Sequence, residues 1–402
     1  MIRPLDLYQV AVWRVWLYAS AVFLGGGGLM VSGSAGFIGL MLLPFLAATA
    51  ARAVLARPIP VGLFAAALAW TAVSLTWSPY DQPDQALKLA LLSPLYLLVV
   101  FAAARLDDRT AGRRLFWITA PFSLLAIFFL IEALLGAPIS LSFKTDLEGY
   151  GDTPAQAEAF ADRTLARGLT GFVMIAGPAA IAMLARGGLA GRAGAGLLAA
   201  AGLVGGAAFG VEANLMALFA GAAAAVLAWR FTGRGMAALC FAAAAAVLAA
   251  PLYMAALTAL ISTETAEALP VSWHMRLEIW RFTLERIAAA PWVGHGLDAA
   301  RVLGEDTALR GTVFNTLPLH AHNAGLHIWL ETGAVGALGY AAALTALGRA
   351  CLSASIPPGA AAAAAFAGAA FLATVMVGSG VWQEWLHGCL AIALATALMI
   401  RR

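Results

Sequence analysis

Charge is what this chain has least of: Asp, Glu, Lys and Arg make up 11% of its 402 residues, hydrophobic residues make up 62%, and mean hydropathy is +0.86. Soluble domains carry roughly 25% charged residues, so an ordinary water-facing surface is excluded and a lipid-facing one is required. Lysine is nearly missing: apart from Lys88 and Lys144, the cations are arginines. A net charge of +3 is too small to point to nucleic acid. The few cysteines, Cys240, Cys351 and Cys389, fall in or beside apolar segments, which excludes a disulfide framework. There is no internal repeat and no low-complexity linker, and the Ala/Gly-rich run from Gly359 to Ala370 reads as a close helix contact. The short alternating segments of a transmembrane β-barrel are missing too, because the apolar runs are long, unbroken and rich in Ala and Leu.

What is present is an all-α, polytopic membrane pattern, a single integral membrane domain over residues 1–402. A crossing helix needs roughly 20 apolar residues. Hydropathy predicts twelve spans, near 14–31, 36–52, 59–78, 89–105, 115–135, 166–186, 194–210, 213–229, 236–259, 322–347, 359–379 and 382–400. Alternating sides gather fifteen arginines on one face with only Asp6, Asp107 and Asp108 beside them. The positive-inside rule makes that face cytoplasmic, with both termini on it. The first apolar segment reads as an uncleaved anchor, since no clear small-residue cleavage site closes it. Two external segments interrupt the short turns. Residues 137–163 are acidic and turn-rich, the composition of a partly mobile loop. Residues 261–321, before the tenth span, are the longest polar stretch and the natural place for chemistry.

Within that long loop, residues 272–290 read as an amphipathic helix, with Trp273, Leu277, Trp280, Leu284 and Ile287 at spacings of three and four and Pro291 as its stop. Tryptophans on such a face suggest a helix lying along the membrane interface, although one that only caps the bundle would carry the same pattern. Its arginines differ. Arg281 has Glu278 and Glu285 at helical spacing, enough to account for it as surface pairing. Arg276 has Ser272, Trp273, Ile279 and Trp280 there, so no carboxylate of its own helix neutralises it. Arg167, at the outer start of the sixth span, has Arg163, Thr164, Thr170 and Gly171. An uncompensated arginine at a membrane boundary takes an anionic partner or reaches for water. Two on one external face are better explained by an anionic ligand.

Downstream, His320, His322 and Asn323 lead into the tenth span, and His327 and Glu331 follow four apart on one helical face. Inside a span a carboxylate costs about 3 kcal/mol on insertion scales, so Glu331 is expected to face the bundle interior with a partner. A His-x-His pair offers only two metal ligands and no cysteine joins it, so no metal site is expected. The plain alternative for His322 is a helix cap.

These residues carry a resemblance. His322-Asn323, nine residues, then Gly333-x-x-Gly336 is similar to the H-[NSQ]-x(9)-G-x-x-G signature of bacterial O-antigen ligases. The stretch from Leu330 to Gly333 resembles the same family's acidic-glycine step. Arg276 to Gly296 resembles its Arg-x-x-x-Trp helix, here with Trp280, followed by Pro-x-x-Gly-x-Gly. The arginine heading the sixth span, Arg167, and the Trp-Ser turn in SLTWSP from Ser74 fit as well. The resemblance implies an inverting, metal-independent glycosyltransferase without a cofactor. It would take a glycan from undecaprenyl diphosphate on the periplasmic side of the inner membrane and pass it to a lipid A core acceptor. His322 and Glu331 would be the catalytic pair, Arg167 and Arg276 the diphosphate ligands, and His320, Asn323, Trp280 and Arg163 further site residues. O-antigen polymerases share these motifs. A lipid-linked glycan transporter would also hold a diphosphate with arginines, but the halves show no matching interrupted helices. A monomer is expected; an oligomer is compatible with the sequence.

Overall fold

The computed structural model describes residues 58–104 and 108–400; the expected spans at 14–31 and 36–52 lie outside them. The helices run α1 (Pro58–Val73, continued by a 3-10 turn at Ser74–Trp77), α2 (Asp84–Ala104), α3 (Asp108–Leu135), α4 (Pro154–Arg186), α5 (Gly188–Ala208) and α6 (Glu212–Phe231). They continue as α7 (Gly233–Leu248), α8 (Ala250–Leu260), α9 (Val271–Ala289), α10 (Ala324–Ser353), α11 (Pro358–Val377) and α12 (Glu384–Leu398). The expected spans from 59–78 onward fall on these helices, 236–259 across two of them, α7 and α8. Among the described residues six helices are long and apolar enough to cross a membrane, or up to eight when the two sharply bent pairs, Phe122–Leu135 with Pro138–Leu147 and α7 with α8, each make one span. The chain is an all-α, multi-pass membrane protein.

The small-residue reading of α11 has a structural counterpart. Its first two turns are buried from Gly359 to Ala367, and the Phe366 ring lies against Gly177 of α4 and Gly221 of α6, where an added Cβ would come within 2.2 Å and 2.9 Å of it. Phe122, Phe129 and Phe172 close the same core between α3 and α4.

One expectation needs correcting. Residues 137–163 are mostly helical: α4 starts at Pro154, and a short helix, Pro138–Ser142, turns back from the end of α3 at left-handed Ala137. The cause is Glu132, fully buried, whose carboxylate accepts the N–H groups of Ile139 (2.9 Å) and Ser140 (3.0 Å) and so caps the new helix. In the long loop a hairpin also forms, β1 (Asp306–Leu309) antiparallel to β2 (Thr312–Asn315), turning at Arg310 and Gly311, both with positive φ.

The amphipathic helix is α9. Leu277, Trp280 and Ile287 are buried in a core shared with α8 and α10, so its apolar face is turned to protein. Arg281 pairs with Glu278 (2.7 Å) but not Glu285; its other nitrogen reaches the Thr258 and Ile261 carbonyls. Those carbonyls belong to the end of α8, where the last turn leaves acceptors unpaired and the helix dipole favours a cation.

Candidate active site

The site is organised by a break in α10. Gly333 has φ 63° and ψ −167°, so the helical hydrogen-bond ladder is interrupted there. The segment Pro291–Gly296 replaces it: His295 and Gly296 donate N–H bonds to the Leu330 (2.8 Å) and Glu331 (2.9 Å) carbonyls, while Ala334 and Val335 donate to Pro291 (2.9 Å) and Trp292 (3.2 Å). Trp70 Nε1 of α1 supplies the Thr332 carbonyl at 2.9 Å. An open backbone group in hydrocarbon costs several kcal/mol, so such a break is tolerated only where protein fills it.

Glycine is required on both sides of this exchange. A Cβ on Gly333 would lie 2.3 Å from the Trp292 carbonyl oxygen, and one on Gly294 2.5 Å from the Glu331 carbonyl carbon. The Trp-Ser turn clasps the same segment, since Leu297 N–H donates to Ser74 Oγ (3.0 Å) and Ser78 Oγ to the Leu297 carbonyl (2.7 Å). Three motifs far apart in sequence are thus one joint.

Glu331 sits at its centre, fully buried. Its Oε2 accepts from Asp298 N (3.0 Å) and Trp382 Nε1 (2.6 Å), and its Oε1 from Ala300 N (3.2 Å) and His327 Nε2 (3.1 Å). The other ring nitrogen, His327 Nδ1, is buried with no partner among the described residues. Asp298 is held in the left-handed region, with one oxygen on Arg301 Nε at 3.1 Å and Oδ2 buried without a partner. Burial, then the Glu331 charge, raises the Asp298 carboxyl above the usual range against the pull of Arg301.

His322 and Arg276 meet at the end of α11. Arg276 Nε donates to the Val377 carbonyl (3.2 Å) and Nη1 to Ser272 (3.2 Å), and its guanidinium lies over the Trp273 ring at 4.9 Å. The same Val377 carbonyl acts on the His322 ring, and His322 Nδ1 is buried with no partner among the described residues. Burial, then the adjacent Arg276 charge, pushes the His322 imidazole down to about 4, so it is neutral at pH 7. The His320 ring stands edge-on to it with centroids 4.2 Å apart, and burial followed by its histidine neighbours drives His320 well below the ordinary value. His322 has φ 48°, uncommon for a residue with a Cβ and the kind of strain found at functional sites. The helix cap is its neighbour: Asn323 Oδ1 accepts the Leu326 N–H at 3.0 Å and its amide reaches Tyr253 Oη of α8 at 3.4 Å.

The remaining expected site residues divide. Arg167 is exposed on α4, next to Ala166, whose carbonyl accepts from Asn214 of α6 at 3.3 Å. Two residues before Asn214, the Glu212 carboxylate accepts Trp273 Nε1 (2.7 Å) and is the negative charge acting on Arg276. The first turn of α6 therefore links the Arg167 backbone to the Arg276 helix. Neither arginine makes an ion pair among the described residues. Arg163 is exposed one turn earlier, 5.9 Å from the Phe160 ring, and Trp280 is a buried packing residue. The sequence reading missed Asp298 and Arg301, whose signal is a charged pair three apart just after a Gly-x-Gly turn.

Neither the curated proteins nor the solved structures give a match to the chain. Residues 197–341 match the family model described as O-Antigen ligase, a stretch that includes Arg276, His322 and the broken helix α10. Over that segment the chain is similar to the O-antigen ligase family.

Proposed function

We propose that the protein is an inverting, metal-independent glycosyltransferase of the inner membrane. It moves a glycan from undecaprenyl diphosphate to a hydroxyl of the lipid A core on the periplasmic side. The observation that carries this is the meeting of Arg276 and His322 at the end of α11: an arginine without an ion-pair partner among the described residues, hydrogen-bonded to Val377, acts on a neutral histidine whose buried Nδ1 has no partner. Guanidinium forks match diphosphate oxygens, and a positioned neutral imidazole suits a hydroxyl proton.

In this reading Arg276 and Arg167 hold the diphosphate. The acceptor oxygen attacks the anomeric carbon from the face opposite the leaving group, and its proton passes to His322 Nδ1. The anomeric C–O bond breaks, and undecaprenyl diphosphate leaves with the electron pair, its charge taken up by the arginines. Glu331 is a positioning residue: its carboxylate is saturated by four protein donors and holds the 295–300 segment onto α10. The ligase reading is placed ahead of a polymerase because the motifs resemble ligases first.

Transfer by purified protein tests this. Arg276→Ala and His322→Ala should lose transfer while still inserting, Arg276→Lys should lose most of it because charge without the fork is not equivalent, and excess EDTA should have no effect. Wild-type transfer by Arg276→Ala, or loss in EDTA restored by one metal, overturns the proposal.

A further inference from the structure

The serines of the Trp-Ser turn are explained by their bonds to Leu297. Neither explains Trp77 between them, whose side chain is 37% exposed and, among the described residues, has a ring contact with Trp70 alone, centroids 5.4 Å apart. The turn is stitched by Ser74 and Ser78 onto the segment that leads to Arg301, and Arg301 lies 5.5 Å from the Tyr80 ring centroid. Arg301 spends its Nε on Asp298, whereas its two Nη groups have no hydrogen bond among the described residues. Tyr80 Oη donates to exposed Gln82 at 3.2 Å, and Asp84 is near enough for its charge to act on Arg301.

An exposed indole, a phenol and a primary amide on residues 77–82, with the Arg301 guanidinium over the phenol and its Nη groups without a hydrogen bond among the described residues, form a mixed surface. Pyranose rings suit it: one face is a patch of C–H groups that covers an aromatic ring, and the rim is hydroxyls that need planar donors and acceptors. An aromatic belt at the membrane edge would account for Trp77 and Tyr80 but gives no reason for Arg301 to stand beside the phenol with its fork open. A relay of buried contacts connects the patch to the histidines. Asp298, which holds Arg301, bonds through its N–H to Glu331, Glu331 to His327, and the His327 ring lies 6.4 Å from that of His320.

We infer that Trp77, Tyr80, Gln82 and Arg301 form a saccharide subsite that seats a sugar of one of the two substrates beside the reacting hydroxyl. The inference rests on the glycosyltransferase reading above and adds to it where the glycan is gripped.

Steady-state transfer by the full chain in lipid nanodiscs, with undecaprenyl-diphosphate glycan and lipid A core each varied in turn, tests it. Trp77→Ala and Gln82→Ala should each raise one KM about five-fold or more with kcat within two-fold of wild type, and Trp77→Phe should restore most of it. A raised acceptor KM assigns the subsite to the lipid A core, and a raised donor KM assigns it to the glycan. Lipid-free core oligosaccharide should inhibit wild type and, in the first case, inhibit Trp77→Ala more weakly. If both KM values stay within two-fold in both variants, or only kcat or the amount of inserted protein falls, the subsite is wrong. Gln82 is exposed and its side chain bonds only Tyr80, so that variant stays informative should Trp77→Ala fold poorly. His322→Ala alongside separates the two readings: transfer that survives it refutes the glycosyltransferase site, whereas transfer lost there with unchanged KM values in the turn variants refutes only the subsite.

Discussion

Glu331→Ala separates a catalytic carboxylate from a positioning one. The substitution removes the acceptor of four buried donors: Asp298 N, Ala300 N, His327 Nε2 and Trp382 Nε1. A buried donor left unsatisfied costs about 1–3 kcal/mol, so four amount to roughly 4–12 kcal/mol before relaxation. Folded domains are stable by about 5–15 kcal/mol, so most of the margin would go. Glu331→Gln keeps one acceptor oxygen but turns an amide N–H₂ toward two donors; His327 can answer by moving its proton to Nδ1, so this variant should fall between. His322→Ala removes a half-buried ring whose Nδ1 has no partner, a change within about 1 kcal/mol in stability. Thermal unfolding of detergent-solubilised fusions by fluorescence size exclusion should rank wild type and His322→Ala together, Glu331→Gln lower and Glu331→Ala lowest or absent. Transfer by the Glu331 variants should track the amount of folded protein, whereas His322→Ala should be folded and inactive. A Glu331→Ala protein with the wild-type unfolding midpoint and no transfer would refute the positioning role and return Glu331 to the chemistry.

Three further outcomes follow from the same geometry. Gly333→Ala forces a Cβ at φ 63° to within 2.3 Å of the Trp292 carbonyl, so it should cost at least about 2 kcal/mol and lower the yield of folded protein, while Val335→Ala at an exposed position should not; unfolding midpoints decide. His322 accepts a proton only when neutral, and its folded value is about 4, so transfer at sub-saturating donor should hold from pH 7 to 5 and fall as pH drops through 4; a fall centred near 6.5 would mean that neither burial nor the Arg276 charge depresses the group that gates transfer. Reporter fusions at Thr307 and Arg402 should be active only on the periplasmic side and only on the cytoplasmic side respectively, and a periplasm-active reporter at Arg402 would overturn the charge-based topology.

How much of the site the sequence discloses depends on how far apart its partners lie. Helical spacing compares only residues three and four apart, which suffices to show that Arg276 lacks a carboxylate and that His327 can reach Glu331. It was right about only one of the two carboxylates at Arg281, Glu278 and not Glu285, because the spacing rule has no knowledge of α8 ending alongside with open carbonyls. It failed at 137–163, where turn-forming residues are the caps of helices and the acid that bends the chain, Glu132, lies before the segment inside an apolar run. The glycine motifs were visible as motifs, yet their reason is an exchange of backbone bonds between residues some forty apart in sequence, which spacing cannot express. The furthest case is Val377. Its main-chain carbonyl, a group every residue has, takes the Arg276 Nε–H beside His322, at the end of a helix whose Ala/Gly run tells only of packing. A partner made of backbone leaves no mark in residue identity, so the two side chains to which we assign the chemistry were legible one by one, and the place where they meet was not.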